Sequence, residues 1–349
     1  MIIITPTNLK SSIIGITGNR QRLSTIAFTL GIIFSFSHHS VYSIFLPLSW
    51  FFLGLGAILA PSWTIGPKWV FAGLVLILAS MGLAIPGNIL FGDGDWPENV
   101  AIFIIAVPFL AIYLADHKGD ILLWIMPAMV IHSALIIAQG LTGAYPPAGL
   151  AINRNPAAGV LVLAALWLVS SRFRWLTILL VIAIGFTGSR WATVTLAALL
   201  IAMGTFKVLP WRWAIPMLIL ETAVFVMTTA FLADRYAEAA QVIQAANTDI
   251  WHRLGISHPL SLIPHGSIRT DDMHNVPVRM AAEFGILAAF AWTAITAYGL
   301  IRRPLFDITW WLLLALATLS MMDYYTFYGP VAAWWWLLVG LRTKIQTNS

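Results

Sequence analysis

Long apolar runs separated by short polar breaks fill the chain from about residue 23 to residue 341. An α-helix needs roughly 20 apolar residues to cross a bilayer, and the breaks divide this chain into about twelve runs close to that length. The pattern predicts an all-α, polytopic membrane protein whose residues 1–349 form a single transmembrane domain. The predicted spans lie near 23–37, 41–60, 68–86, 99–115, 120–140, 156–170, 174–188, 190–206, 211–233, 274–300, 306–323 and 328–341.

Composition supports this prediction. The chain has 349 residues, of which 60% are hydrophobic and only 9% are charged. Soluble domains contain fewer hydrophobic and more charged residues than this. It contains no cysteine, which excludes disulfides and thiol chemistry. Residues 1–22 lack both an unbroken apolar core and a small-residue cleavage site, so we expect a cytoplasmic leader and not a signal peptide.

The basic residues predict the orientation of the spans. If the N-terminus is cytoplasmic, alternate loops collect every lysine and most arginines on the cytoplasmic side, as the positive-inside rule requires. The C-terminus then also lies in the cytoplasm. This distribution accounts for the net charge of +5 without nucleic acid as a partner. The residues of this set are Lys10, Arg20, Arg22, Lys68, Lys118, Arg172, Arg174, Lys207, Arg212, Arg302, Arg303, Arg342 and Lys344.

The remaining basic residues fall on the outer side and are all arginines. A guanidinium binds carboxylate or phosphate through two parallel hydrogen bonds, whereas lysine offers a point charge. An outer arginine cluster therefore indicates an anionic ligand, most simply a phosphorylated lipid. The alternative is that some of them pair with outer acids such as Asp272 and Glu283. The outer arginines are Arg154, Arg190, Arg235, Arg253, Arg269 and Arg279.

A longer outer loop, residues 234–273, separates spans nine and ten and leads into the polar segment "RTDDMHNVPVRMAAEFG". We expect His274 in the first turn of span ten, after Asp272 as N-cap. Imidazole titrates near neutral pH and accepts a proton from a hydroxyl nucleophile. The alternative is an interfacial histidine that caps the helix.

Arg279 and Glu283 lie four residues apart, so they share a helix face and predict a structural ion pair. Glu283 follows His274 by nine residues, which turns it to the opposite side of a regular helix and argues against a direct relay.

Three outer arginines are placed to bind phosphate. Arg190 follows a tight turn in "TGSR", Arg253 lies in the outer loop, and Arg154 precedes span six between Asn153 and Asn155. Two or three such groups can hold a diphosphate and stabilise its developing charge as it leaves.

Other patterns are weaker. His252, His258, His265 and His274 match no compact zinc-ligand spacing, and Asp93 to Asp95 reads as a solvated acidic loop, so we expect neither metal nor cofactor. His132 and Glu221 lie inside predicted spans, where they are possible relay groups of a transporter. The alternative for them is a buried hydrogen-bonded pair.

The motifs together resemble the O-antigen ligase and O-antigen polymerase superfamily. The resemblance covers about residues 150–340 and rests on "NRNPAAG", "TGSR", "WHRLGISHPL", "HNVPVRMAAEFGILAAF" and "DYYTFYGPVAAWWWLLVGL". The segment that begins with His274 and Asn275 and includes Glu283 is the most specific. The outer loop differs from the family, because it is compact and lacks the usual glycine-rich run after its proline.

The resemblance implies a glycosyltransferase of the bacterial inner membrane with a periplasmic site. Its donor would be a glycan on undecaprenyl diphosphate, and its acceptor a sugar of lipid A core or a second lipid-linked glycan. Carried over by motif position, Arg190 and Arg253 would bind the diphosphate and His274 would activate the acceptor hydroxyl for inverting attack. Ligase, polymerase and protein O-glycosylating relatives stay open. A transporter or flippase of an anionic lipid-linked substrate is the alternative of another class.

Overall fold

A computed structural model describes residues 6–35, 45–59, 75–77, 118–143, 147–149, 154–227, 276–277, 280–281, 286–302, 306–322 and 329–344. These residues are helical or lie in turns, and they include no β-strand, so the all-α prediction is confirmed for them. The longer helices are α1 (Pro6–Ser35), α2 (Phe45–Leu59), α3 (Lys118–Leu141), α4 (Arg154–Val169), α5 (Thr177–Thr187), α6 (Arg190–Thr205), α7 (211–227), α8 (Ile286–Ile301), α9 (Ile308–Met322) and α10 (Gly329–Lys344).

Helix bounds follow the predicted apolar runs closely from α3 to α7 and again at α9 and α10. Helix α1 differs, because it begins at Pro6, well inside the segment expected as a leader. Residues 276–277 and 280–281, which precede α8, are also helical. Within the described ranges, no helix combines the length and the apolar content that a membrane crossing requires.

Helix α4 lies at the centre of the core. From Pro156 to Val169 every side chain except Trp167 is buried, because the segment is apolar around its whole circumference. Helices α5, α6, α9 and α10 pack around it. An arginine at its first residue, Arg154, is the one charge of this helix, so burial of the remainder needs no charged partner.

A tight turn joins α5 to α6. Gly188 ends α5 with φ at 63°, a left-handed conformation that glycine adopts at little cost. Its amide donates to the carbonyl of Gly185 at 3.0 Å, and Ser189 is the N-cap of α6. Arg190 therefore occupies the first residue of α6, as the sequence predicts.

Helix α7 packs against both α5 and α6 at glycines. The Trp211 ring lies 3.0 Å from where a Cβ of Gly204 would stand on α6, and a Cβ on Gly185 of α5 would overlap Val224. Helix α7 therefore contacts both α5 and α6.

Helices α1 and α2 form a separate antiparallel hairpin. The Ser24 hydroxyl donates to the carbonyl of Gly56 at 2.5 Å, and Phe28 packs on the same glycine. The hairpin joins the bundle through contacts of α1 with α3 and α10.

The antiparallel bundle has two ends, which we name by residues. The Arg154 end comprises the last residues of α3 and α5 and the first residues of α4 and α6; Gly140 of α3 packs on Phe186 of α5 there. The Arg342 end comprises the opposite termini, where Phe206 after α6 stacks on Phe306 at 4.8 Å. Arg342 of α10 bonds to Gly299 in the last turn of α8 and to Asp307 between α8 and α9, so α8 ends at the Arg342 end and begins at the Arg154 end.

Candidate functional site

Two of the predicted ligand arginines lie at the Arg154 end. Arg190 is exposed at the first residue of α6, and Arg154 is half-buried at the first residue of α4. Helices α4 and α6 pack against each other and run in the same direction, since each begins at this end. Arg154 and Arg190, which are 36 residues apart in the sequence, therefore lie at the same end of the bundle.

Backbone groups add to the positive character of the Arg154 end. The first amides of an α-helix have no partner within the helix, and the helix dipole favours an anion beside them. Two helices of 16 residues each, α4 and α6, present their N-termini here. With the two guanidinium groups, this end can bind an anion such as a phosphate.

Hydroxyl groups hold the turn that carries Arg190. The Thr187 hydroxyl donates to the carbonyl of Ile184 at 2.6 Å and accepts the amide of Ser189 at 3.2 Å. One turn into α6, the Thr193 hydroxyl donates to the carbonyl of Ser189 at 3.2 Å. Thr187, Ser189 and Thr193 are buried. These bonds fix the turn, so Arg190 extends from a rigid base.

The connection that leads to Arg154 is held by Gln139 of α3. Its amide oxygen accepts the backbone amides of Ala148 at 3.0 Å and Gly149 at 2.7 Å, and its amide nitrogen donates to the carbonyl of Gly149 at 2.9 Å. Gly149 has φ at 65° and packs on the buried imidazole of His132. Sequence reasoning missed this clamp, because a glutamine inside an apolar run carries no signal of its partner.

Six predicted site residues lie outside the described residues. Of the described residues that follow His274, Val276 and Met280 are fully buried. Helix α8 begins at the Arg154 end, as shown above, and these two residues precede it by few positions. The ion pair of Arg279 with Glu283, the N-cap role of Asp272 and the base role of His274 stay predictions. The six residues are Arg253, Asp272, His274, Asn275, Arg279 and Glu283.

Basic residues of the other predicted set gather at the Arg342 end. Arg342 itself is fully buried: it donates to the carbonyl of Gly299 at 2.9 Å, to the carbonyl of Arg302, and to Asp307 at 3.1 Å. The Asp307 carboxylate also accepts the amide of Trp310 at 2.8 Å and caps α9. The sequence assigned Arg342 to a cytoplasmic loop and gave no sign of this buried role.

The alternative in which His132 and Glu221 form a hydrogen-bonded pair is wrong. Both side chains are buried, with exposed fractions of 1%, but neither carboxylate oxygen of Glu221 has a hydrogen-bond partner among the described residues. Because His132 is one of those residues, the two side chains are not bonded to each other. Across the same part of the chain, no group of three histidine, aspartate or glutamate side chains could hold a metal ion.

Comparison with known proteins adds no assignment. No family model matches the chain, and neither the search of curated proteins nor that of solved structures found a match. The coordinates define, for the residues they describe, an all-helical bundle that carries Arg154 and Arg190 at one end.

Proposed function

We propose that the protein is a polytopic membrane glycosyltransferase that transfers a glycan from undecaprenyl diphosphate to an acceptor sugar hydroxyl at the periplasmic face of the bacterial inner membrane. The acceptor is lipid A core or a second lipid-linked glycan, and the reaction is inverting and independent of metal. The observation that carries this proposal is the convergence of Arg154, Arg190 and two helix N-termini at one end of the bundle.

The segregation of basic residues supports a membrane orientation. Several members of the set predicted to be cytoplasmic lie at the Arg342 end, among them Arg172 and Arg174 between α4 and α5 and Lys207 after α6. Arg154 and Arg190 lie at the opposite end. An excess of basic residues on one side is the pattern of cytoplasmic loops, so the Arg154 end would face the periplasm.

The sides of α6 and α7 support contact with lipid. Both helices expose large apolar side chains at helical spacing, and exposed apolar stripes of this kind mark contact with lipid or with another protein. Residues with exposed fractions from 46% to 64% are Trp191, Val194 and Ile201 on α6 and Ile215, Ile219 and Val226 on α7.

The proposed chemistry uses the anion-binding end to hold the leaving group. Arg190 and Arg154, with Arg253 from the outer loop, bind the diphosphate oxygens and stabilise the charge that develops on them. His274 accepts the proton of the acceptor hydroxyl as its oxygen bonds to the anomeric carbon. The bond from that carbon to the phosphate oxygen breaks, and its electron pair leaves with undecaprenyl diphosphate. Attack from the opposite face inverts the anomeric centre.

A transporter or flippase of an anionic lipid-linked substrate is the second candidate, and the interior carboxyl of Glu221 favours it. Ionisable groups within spans mark substrate or proton pathways in transporters. Such a protein would also bind a diphosphate through Arg190. It would move the lipid-linked glycan between leaflets without joining it to an acceptor.

The test is a transfer assay with purified protein, a lipid-linked glycan and both acceptor classes in vesicles. We expect a new glycosidic product from wild-type protein and none from His274→Ala. Arg212→Ala, an exposed arginine at the Arg342 end, serves as the matched control and should retain activity. Transport of the lipid-linked glycan without any product would contradict the proposal and favour the flippase.

The acceptor is identified in cells by glycan profiling of a deletion strain. Lipid A core without polymer indicates a ligase, and core that carries a single repeat indicates a polymerase. Unchanged surface glycan in the deletion strain complemented with His274→Ala would reject His274 as the base.

A further inference from the structure

The proposed transfer reaction makes no use of Glu221, a carboxyl group in the interior of the bundle. Glu221 lies on α7 with 1% of its surface exposed, and its two oxygens have no hydrogen-bond partner within the described ranges. It shares its helix face with Ala214 and Met217, which belong to the apolar core. An ionised carboxylate is strongly disfavoured in such surroundings unless a positive group or hydrogen-bond donors compensate it.

The contacts of α7 fix the direction of this side chain. Trp211 lies against Gly204 of α6, and Val224 fills the space beside Gly185 of α5. With about 3.6 residues per helical turn, Glu221 projects from α7 between the directions of these two contacts. Its carboxyl therefore points into the wedge between α5 and α6, away from the stripe that α7 exposes.

The helices around this wedge provide no counter-charge at the height of Glu221. Helix α5 carries no titratable residue, α6 carries only Arg190, and α4, which packs on both, carries only Arg154. Both arginines are at the Arg154 end, and Arg190 is exposed. Near the first turn of α7, Arg174 lies over the ring of Trp213, and Arg212 is exposed to the outside. Arg212 precedes Glu221 by nine residues, or about 13 Å along the helix.

We propose that Glu221 is a proton-binding site in the interior of the bundle. Its carboxyl group is neutral at neutral pH, and the neutral form is the one that α5, α6 and α7 enclose. The ligand is a proton because a larger cation would need several oxygen ligands, whereas the faces of α5 and α6 that flank the wedge are predominantly apolar. The proposal does not depend on the transfer reaction.

Infrared spectroscopy of the full-length protein in lipid vesicles tests this proposal, since a protonated carboxyl has a C=O stretch distinct from those of amides and carboxylates. We expect wild-type protein at neutral pH to show this band and Glu221→Gln to lack it. Asp307→Asn is the matched control, because Asp307 is ion-paired with Arg342 at 3.1 Å and should not contribute to the band. A band that persists in Glu221→Gln would overturn the proposal.

A titration of wild-type protein gives a second measurement that needs no variant. As the pH rises, the acid band should disappear and a carboxylate band should grow by a matching amount. A wild-type spectrum without the acid band at neutral pH would show that Glu221 is ionised, and the proposal would then be wrong. Because the readout is spectroscopic, its failure is distinguishable from failure of the glycan-transfer proposal.

Discussion

Arg342 and Arg190, at opposite ends of the bundle, have different surroundings. At the Arg342 end, Arg342 binds two carbonyls and Asp307, and Arg302 lies over the ring of Tyr298 at 4.6 Å, whereas Arg212 is exposed. At the Arg154 end, Arg190 extends into solvent from a turn that buried hydroxyls hold. Both arginines carry the same charge, so charge alone does not distinguish an arginine bonded within the protein from one that can bind a ligand.

The difference teaches where to look for a ligand. A buried, fully bonded guanidinium contributes to stability and has no donors left for a substrate. An exposed guanidinium on a rigid helix start keeps its donors in place at little entropic cost, which favours binding of an anion. Removing each kind of arginine should therefore affect different measurements, and the following variants separate stability from binding.

Arg342→Ala should destabilise the bundle most. It leaves the carboxylate of Asp307 and the carbonyls of Gly299 and Arg302 without their donor, at a cost of about 3 kcal/mol. Thermal unfolding followed by tryptophan fluorescence measures the loss. Arg342→Lys keeps the charge but loses the fork, so it should fall between the variant and wild type. If Arg342→Ala unfolded at the wild-type temperature, the hydrogen bonds of Arg342 would contribute nothing to the stability of the bundle.

Arg190→Ala should lower glycan transfer roughly tenfold to a hundredfold, as expected for loss of one charge-assisted contact to phosphate. Its unfolding temperature should stay at the wild-type value, because the side chain is exposed. Arg190→Lys should also lower the rate, since lysine lacks the planar fork.

Arg212→Ala is the control for Arg190, since both arginines are exposed at a first helical turn. Equal activity of the Arg190→Ala and Arg212→Ala variants would remove the functional contrast between the two ends.

Gln139→Leu should destabilise the protein by about 1–2 kcal/mol, because the amides of Ala148 and Gly149 lose their acceptor. It should also lower transfer, since these residues lead to the start of α4. Thr142→Val, which removes an exposed hydroxyl that bonds only within α3, is the control. Full transfer by Gln139→Leu would show that the clamp does not position the anion-binding end.

Gly188→Ala should cost about 1 kcal/mol, since alanine is strained at the left-handed φ of this turn. Gly54→Ala is the matched control, because its Cβ would meet no atom within 4 Å and its backbone is helical. That variant should be neutral or slightly stabilising. If both substitutions had the same effect on the unfolding temperature, turn strain would not be the cause.

Local chemistry in the sequence predicted much of the helical framework and part of the candidate site. Apolar runs predicted α3 to α7 to within a few residues at most ends, and "TGSR" predicted a tight turn with Arg190 at the next helix start. These predictions succeeded because hydrophobic runs and glycine turns depend on neighbouring residues. The predicted roles of His274 and Arg253 lie outside the described residues.

The sequence by itself determined that the protein is helical, that its charges are few, and that its lysines and arginines are distributed unequally. Only the tertiary structure decided that Arg342 is buried on Asp307, that Glu221 is buried without a hydrogen-bond partner among the described residues, and that Arg154 shares an end with Arg190. Helical periodicity specifies which residues share a face. It does not specify which helix that face will meet, because that choice depends on packing between segments distant in the chain.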